Sequence, residues 1–108
     1  MANPTLTTLQ LNRALLARQW LLRRKRRPVR DAVHALAGLQ SQEPKDPYVA
    51  LWSRIDGFQP RRLHDAASRR DIVRGSYLRC TLHTASADDF VAFRMLLQSV
   101  IDREVAIV

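Results

Sequence analysis

The stretch GLQSQEPKDPYVALW, residues 38–52, contains the sharpest break in the sequence pattern. Gln40 and Gln42 flank a serine, and Pro44 and Pro47 follow shortly after. Proline lacks a backbone N–H and restricts the residue before it, so a helix that reaches this stretch is expected to end there. We predict that one helix ends near Gln40 and that another begins after the prolines.

Helical spacing extends on both sides of this break. The second helix is predicted from about Val29 to Leu39 or Gln40, following Pro28. The third is predicted from Tyr48 to Ile55, with Asp46 as its candidate cap. A first helix is predicted from about Leu9 to Arg24, capped by Thr8, and a short fourth helix from Pro60 to about Ser68.

The first helix carries an apolar stripe that predicts a buried face. Leucine and alanine recur at helical spacing at Leu11, Ala14, Leu15, Leu21 and Leu22. Arg18 falls within this stripe, so either its side chain snorkels to the edge or the stripe faces something other than a plain core.

The segment DIVRGSYLRCTLHTA, residues 71–85, has a different character. Its β-branched, aromatic and aliphatic residues alternate with polar ones, which predicts two short strands with a turn near Arg79 and Cys80. Ser86 is then expected to cap a last helix, with Asp89 in its first turn.

These elements predict a mainly α fold with a small β-hairpin, arranged like a winged helix-turn-helix. Residues 1–108 are expected to form one unit. Trp20 and Trp52 sit within apolar helical stretches and are expected in its core.

Composition favours a polyanionic partner. The 108 residues carry a formal net charge of +8, which suits nucleic acid first and an anionic membrane surface second, unless the basic surface has no partner. The single cysteine excludes an internal disulfide and favours a reducing cytoplasm. No apolar run approaches the roughly 20 residues of a membrane span.

Three segments, in order, carry a resemblance to a known family. LNRALLARQWLL (residues 11–22), GLQSQEPKDPYVALWSRIDGF (38–58) and LRCTLHTASADDF (78–90) resemble a bacterial winged-helix DNA-binding family that includes DNA glycosylases able to unhook interstrand crosslinks. Its members are longer, so the resemblance implies an N-terminal unit of a larger parent chain, associated with the bacterial nucleoid. The abrupt apolar ending VAIV, residues 105–108, agrees with a fragment, unless it folds back onto its own core.

One position departs from the family pattern. The family hairpin usually reads Arg-Gly-Thr-Leu-His, whereas this chain has Cys80 after Arg79. Glycine adopts a positive φ freely and cysteine does not, which bears on the geometry of the turn.

The resemblance implies that Gln40 and Gln42 match the family's catalytic glutamines. An alkylated, cationic base already leaves well, so two amides that hold a water against the sugar carbon can suffice. Residues two apart on a continuous helix diverge, so we expect the helix to break between them and let both amides face one pocket. The alternative is that both amides cap orphan carbonyls at a helix end.

Double-stranded DNA is the expected partner, and no metal or cofactor is predicted, because His34 and His64 are spaced like neither metal ligands nor a triad. Two cationic clusters and the hairpin histidine are the candidate DNA contacts: Arg23, Arg24, Lys25, Arg26, Arg27, Arg61, Arg62, Arg69, Arg70, Arg74, Arg79 and His83. These arginines can instead solvate the surface, or pair with nearby aspartates.

Three functions remain open from the sequence. The first is the DNA-binding unit of a repair glycosylase acting on alkylated or crosslinked bases, too short to be active alone. The second is a non-enzymatic transcriptional regulator that binds an operator with the same helices and wing. The third is a truncated product without autonomous function.

Overall fold

The protein alternates short helices with a small sheet in a computed structural model that describes residues 3–106. Their order is α1 (Thr8–Arg18), α2 (Val29–Ala35), β1 (Leu39–Gln40), α3 (Asp46–Arg54), α4 (Pro60–Ser68), β2 (Ile72–Ser76), β3 (Leu82–Ser86) and α5 (Ala87–Ala106), with a short 3-10 turn, Leu78–Cys80, between β2 and β3.

The three strands form one antiparallel sheet in the order β1-β3-β2. Leu39 lies opposite Thr84, and Ile72 lies opposite Ser86. The predicted fold class is therefore confirmed as mainly α with a small β-hairpin, and the arrangement is compatible with a winged-helix-like fold. The sequence missed the third strand, β1.

The core lies where α2, α3 and α4 pack together and against the sheet. Its buried side chains come from all of these elements: Val29, Ala32, Val33, Leu39, Leu51, Ile55, Phe58, Leu63, Ala66 and Ile72. Their spacing within each helix follows the three- and four-residue period of one helical face. This core fixes α3 against β1.

The helix before the glutamines ends earlier than predicted. α2 stops at Ala35, and Ala37 and Gly38 follow with φ of 58° and 118°. The Gly38 N–H donates to the Val33 carbonyl at 3.0 Å, so the positive-φ pair closes the helix and redirects the chain into β1. The expected helix through Gln40 is wrong, because this turn acts before the prolines do.

The prolines belong to the start of the next helix. α3 begins at Asp46, with Pro47 in its first turn, where a missing N–H costs no helical hydrogen bond. Asp46 therefore lies inside the first turn, where its charge favours the helix dipole, and it is not the cap.

The first helix is shorter and more exposed than predicted. Thr7, not Thr8, caps it, in a reciprocal capping box with Gln10, and it ends at Arg18. None of its residues is buried, and Leu21 and Leu22 beyond it are exposed as well. The predicted buried stripe is wrong, because periodicity shows that a helix is amphipathic and does not show what covers it.

The two tryptophans have different environments. Trp20 is partly buried and packs against the core. Trp52 is 60% exposed, so the prediction that it lies in the core is wrong. The side chains of the apolar tail, residues 105–108, lie outside the described part of the chain.

The hairpin turn lies where it was predicted. Tyr77 N–H donates to the Thr81 carbonyl at 3.1 Å, and both Arg79 and Cys80 have positive φ, 54° and 59°. The predicted cap of the last helix is also confirmed, because Asp89 N–H donates to Ser86 Oγ at 3.1 Å.

The positive φ at Cys80 gives a stability prediction. Glycine removes the strain of a left-handed residue, which stabilises the folded state, and it also makes the unfolded chain more flexible, which opposes this gain. Because the strain is the larger effect, we expect Cys80→Gly to raise the free energy of unfolding by about 0.5–1 kcal/mol. Denaturant unfolding measures this. Cys80→Ala keeps the left-handed cost and is the control. Equal stabilities for the glycine and alanine variants would show that the turn carries no strain at this position.

Candidate active site and basic face

The two glutamines lie on the same side of the edge of the sheet. Along the extended chain, Leu39 and Ser41 are buried while Gln40 and Gln42 are exposed. Side chains alternate between the faces of a strand, so residues two apart share a face, about 6.6 Å apart. The exposure of both glutamines follows from this alternation and not from a break inside a helix, and the convergence of the two amides on one pocket stays a prediction.

Gln40 lines a surface cleft that also contains a carboxylate. The cleft measures about 370 Å³, and its polar walls include Gln19, Asp46 and Arg54. Since a water's share of liquid volume is about 30 Å³, the cleft has room for several waters or one planar ring. It places an amide, a carboxylate and a guanidinium around one space.

Arg54 ties the walls of this cleft together. Its guanidinium donates to the carbonyl oxygens of Gln19 at 2.7 Å and of Ala50 at 3.0 Å. Burial lowers the pKa of Arg54, but a guanidinium keeps its charge in proteins. The segment after α1 is thereby held against α3, with a fixed positive charge in the wall of the cleft.

Gln42 is held by the hairpin. Its Oε1 accepts a hydrogen bond from the Leu82 N–H at 3.0 Å, and the Ser41 N–H donates to the Leu82 carbonyl at 2.7 Å. Gln42 thus extends the pairing of β1 with β3 through its side chain. Among the described residues its NH2 group has no hydrogen-bond partner, so it can donate to a ligand.

The residue between the glutamines anchors them. Ser41 is fully buried, and its hydroxyl lies 2.7 Å from Thr84 Oγ1. Its carbonyl accepts from Arg74 at 2.8 Å, so Arg74 supports the strand, and its predicted contact with DNA stays a prediction. The hydrogen bonds hold the backbone from which both amides project.

His83 lies opposite Gln40 in the β1–β3 pair and is largely buried. It is 6% exposed and pairs with Gln40 across β1 and with Gly75 across β2. Its Nδ1 lies 3.0 Å from the Thr81 carbonyl. The residue is therefore mostly buried beside Gln40 and Gly75 in the sheet, and its contact with DNA stays a prediction.

An aromatic group closes this face of the sheet. The ring centroids of Tyr77 and His83 are 5.8 Å apart, and those of Tyr77 and Phe90 are 5.9 Å apart. Gly75 permits this packing, because a Cβ there would lie 3.1 Å from the Phe90 ring. α5 therefore fixes the histidine that supports Gln40.

Five arginines form a surface that we call the basic face: Arg26, Arg27, Arg30, Arg62 and Arg69. They line two clefts of about 480 and 230 Å³ that share Pro28 and Arg62. Arg62 Nη2 donates to the Arg27 carbonyl at 2.9 Å, which joins the segment before α2 to α4. Arg61 is adjacent to this face and lies 3.9 Å from Asp65.

The other predicted DNA contacts do not line the two clefts of the basic face. The Arg24 guanidinium lies 4.9 Å from the centre of the Trp52 ring, and the Lys25 ammonium lies 4.6 Å from that of Trp20. Arg23, Arg70 and Arg79 are exposed. The predicted cationic residues thus include the cleft-lining arginines of the basic face and two residues, Arg24 and Lys25, that lie over tryptophan rings.

Some site residues were missed from the sequence. Gln19 and Arg54 showed no motif, and Asp46 was assigned only as a cap. Arg30 lies three residues after the end of the basic run at Arg27, so charge clustering was the signal that would have found it.

Within the described residues, no three His, Cys, Asp or Glu side chains are grouped so as to hold a metal ion. No helix among residues 3–106 has the length and apolar character needed to cross a bilayer.

Comparison with known proteins identifies one family. The family model described as "AlkZ-like: DNA glycosylase AlkZ-like" matches residues 33–107. A search of curated proteins and a search of solved structures find no match. The matched region includes both glutamines, the cleft residues Asp46 and Arg54, and the hairpin.

The buried tyrosine predicts a loss of stability at alkaline pH. Burial, and secondarily the charge of Asp89, raise the pKa of Tyr77 above its ordinary value of 10.0. The stability it contributes is complete below that value and is lost as pH rises through the folded-state pKa. We expect the free energy of unfolding to fall between about pH 9 and about pH 11, and to fall less in Tyr77→Phe. Denaturant unfolding at both pH values measures this, and equal falls in the two proteins would contradict it.

Proposed function

The chain belongs to the AlkZ-like DNA glycosylase family, and we propose that it is a winged-helix DNA-binding unit of a repair glycosylase that releases alkylated or crosslinked bases. The observation that carries the proposal is that Gln40 and Gln42 are exposed, in alternation with the buried Leu39 and Ser41, while Gln40 lines a cleft that also holds Asp46. We take the two glutamines as the catalytic residues.

The amides are suited to positioning a water. A glutamine side chain offers both an acceptor oxygen and a donor NH2 group, so two of them can fix a water's position and the direction of its lone pair. Gln42 Oε1 is already held by Leu82 N–H, which leaves its NH2 group for the water. Such placement lowers the barrier by supplying the reacting geometry in advance.

The reaction needs little acid assistance. The water oxygen forms a bond to the sugar C1′ while the bond from C1′ to the base nitrogen breaks. The electron pair of that bond goes to the departing base and neutralises its positive charge. The carboxylate of Asp46, in the same cleft, can take the proton that the water releases and can oppose the positive charge that develops on the sugar.

The basic face supplies the affinity for the duplex. Side chains such as Arg26, 86% exposed, can reach phosphates and release counterions, which holds DNA without reading its sequence. α4 and the hairpin correspond to the helix and wing that approach DNA in winged-helix proteins. Asp56, Asp31 and Asp71 pair with three of these arginines on the free protein.

The unit is proposed to act within a longer protein. The resemblance relates the chain to the first of several units in larger family members, so base release is best measured on this chain and on the product of its whole coding sequence. A glycosylase releases bases in at least the longer form. An operator-binding regulator binds one duplex sequence strongly and releases none.

Replacing Gln40 or Gln42 with alanine tests the catalytic assignment. We expect either change to slow base release from alkylated duplex DNA by about 100-fold, because the water loses its position. Abasic sites are measured as strand breaks after heating in alkali. Gln59→Ala, an exposed glutamine before α4, is the matched control and should keep the wild-type rate. Unchanged rates in both active-site variants, with thermal stability unaltered, would exclude the glutamines from catalysis.

Salt dependence tests the basic face. We expect Arg26→Ala with Arg69→Ala to reduce the slope of log affinity against log salt by about 2, since each lost phosphate contact removes about 0.9. Fluorescence anisotropy with a labelled duplex measures the slope. Arg103→Ala, an exposed arginine on α5 that lines neither cleft, should leave the slope unchanged. A slope that responds equally to both sets of changes would place the duplex elsewhere.

A further inference from the structure

Trp52 is a large exposed ring held in one position. Its side chain is 60% exposed, although a ring of this size normally buries much of its area. The Arg24 guanidinium lies over it, 4.9 Å from the ring centre, and Arg24 Nη2 donates to the Trp52 carbonyl at 2.5 Å. The arginine is thereby tied to the residue whose ring it covers, and the stack is formed before any ligand arrives.

The backbone connects this ring to the basic face. Lys25 N–H donates to the Arg54 carbonyl at 2.9 Å, and Asp56 N–H donates to the Lys25 carbonyl at 3.0 Å. Lys25 therefore forms a parallel bridge with Ile55. In such extended backbone, alternate side chains share a side, so Arg24 at the ring and Arg26 on the basic face project the same way, while Lys25 turns to Trp20.

The positive charge around the Trp52 ring favours a negatively charged ligand. A second copy of the chain also carries +8 and would be repelled, and a cationic partner would be repelled likewise. A DNA strand offers phosphates for the arginines and a flat base for the indole. Aromatic rings and arginine planes are the groups on which unpaired bases stack.

We propose that Trp52, with Arg24 on its ring, is a stacking platform for an unpaired base of a DNA strand whose phosphates lie along the basic face. The inference rests on the proposed DNA-binding function and adds that the preferred substrate has a base out of its stack. The platform is separate from the water-positioning glutamines, because Trp52 projects from α3 away from Ala50 and Arg54, which line the Gln40 cleft.

Two labelled probes test the platform: a fully paired duplex, and the same duplex with a short run of unpaired thymidines. We expect Trp52→Ala to weaken binding of the unpaired probe about tenfold, the size of one base–aromatic stack, and that of the paired probe less than about twofold. Trp52→Phe keeps a ring and should keep most of the affinity. Val49→Ala, at a 62% exposed position on the same helix, is the matched control and should change neither affinity.

Tryptophan fluorescence supplies a second measurement. The unpaired probe should quench the wild-type emission, and Trp52→Phe, which retains Trp20, should lose that quenching. Equal losses on both probes, or no loss with Trp52→Ala, would overturn the platform. A change in the sedimentation of Trp52→Ala without a change in DNA affinity would also overturn it, in favour of a protein contact.

Failure of the platform can be told apart from failure of the proposed function. If the wild type binds DNA and releases bases while Trp52→Ala behaves normally on both probes, only the platform is wrong. If neither this chain nor the product of its whole coding sequence releases a base while the Trp52 dependence persists, the glycosylase assignment fails and the platform stands. If the wild type binds neither probe, both are wrong.

Discussion

The turn at Ala37 and Gly38 is the constraint on which the candidate site depends. It ends α2 with two positive φ values and sets which residue of the following strand faces inward. A Cβ at Gly38 would lie 3.5 Å from the Tyr77 ring, so the turn and the aromatic group are packed against each other. A slip of one residue in this turn would bury both glutamines and expose Leu39 and Ser41.

The register set by that turn is then secured by polar contacts. The hydroxyls of Ser41 and Thr84 meet inside the protein, and Arg74 binds the Ser41 carbonyl. Buried hydrogen bonds of this kind are costly to leave unmade, so they specify one pairing of β1 with β3 more strongly than two short strands could alone. The same contacts that define the edge of the sheet therefore hold the amides of Gln40 and Gln42 in place.

Local signals in the sequence were enough to predict much of the fold and less of the site. Pro60 and Ser68 bounded α4 as expected, and the alternation after Asp71 identified the hairpin. The strand β1 was missed because a two-residue strand exists only through its pairing with β3, which is a tertiary contact. The exposure of Trp52 and of the α1 leucines was missed for a similar reason, because an apolar period does not specify which surface, if any, packs against those side chains.

In the proposed function, the ion pairs on the basic face would let a surface that is neutralised in the free protein accept DNA. Arg26 pairs with Asp56, Arg27 with Asp31, and Arg69 with Asp71, all at the surface. Exposed pairs of this type contribute only about 0–1 kcal/mol each, so a phosphate can replace the carboxylate at little cost in stability. The aspartates add a repulsion that any bound strand must overcome. The expected result is a duplex held loosely enough to move, with the register at the site set by the base and its pocket, not by the phosphates.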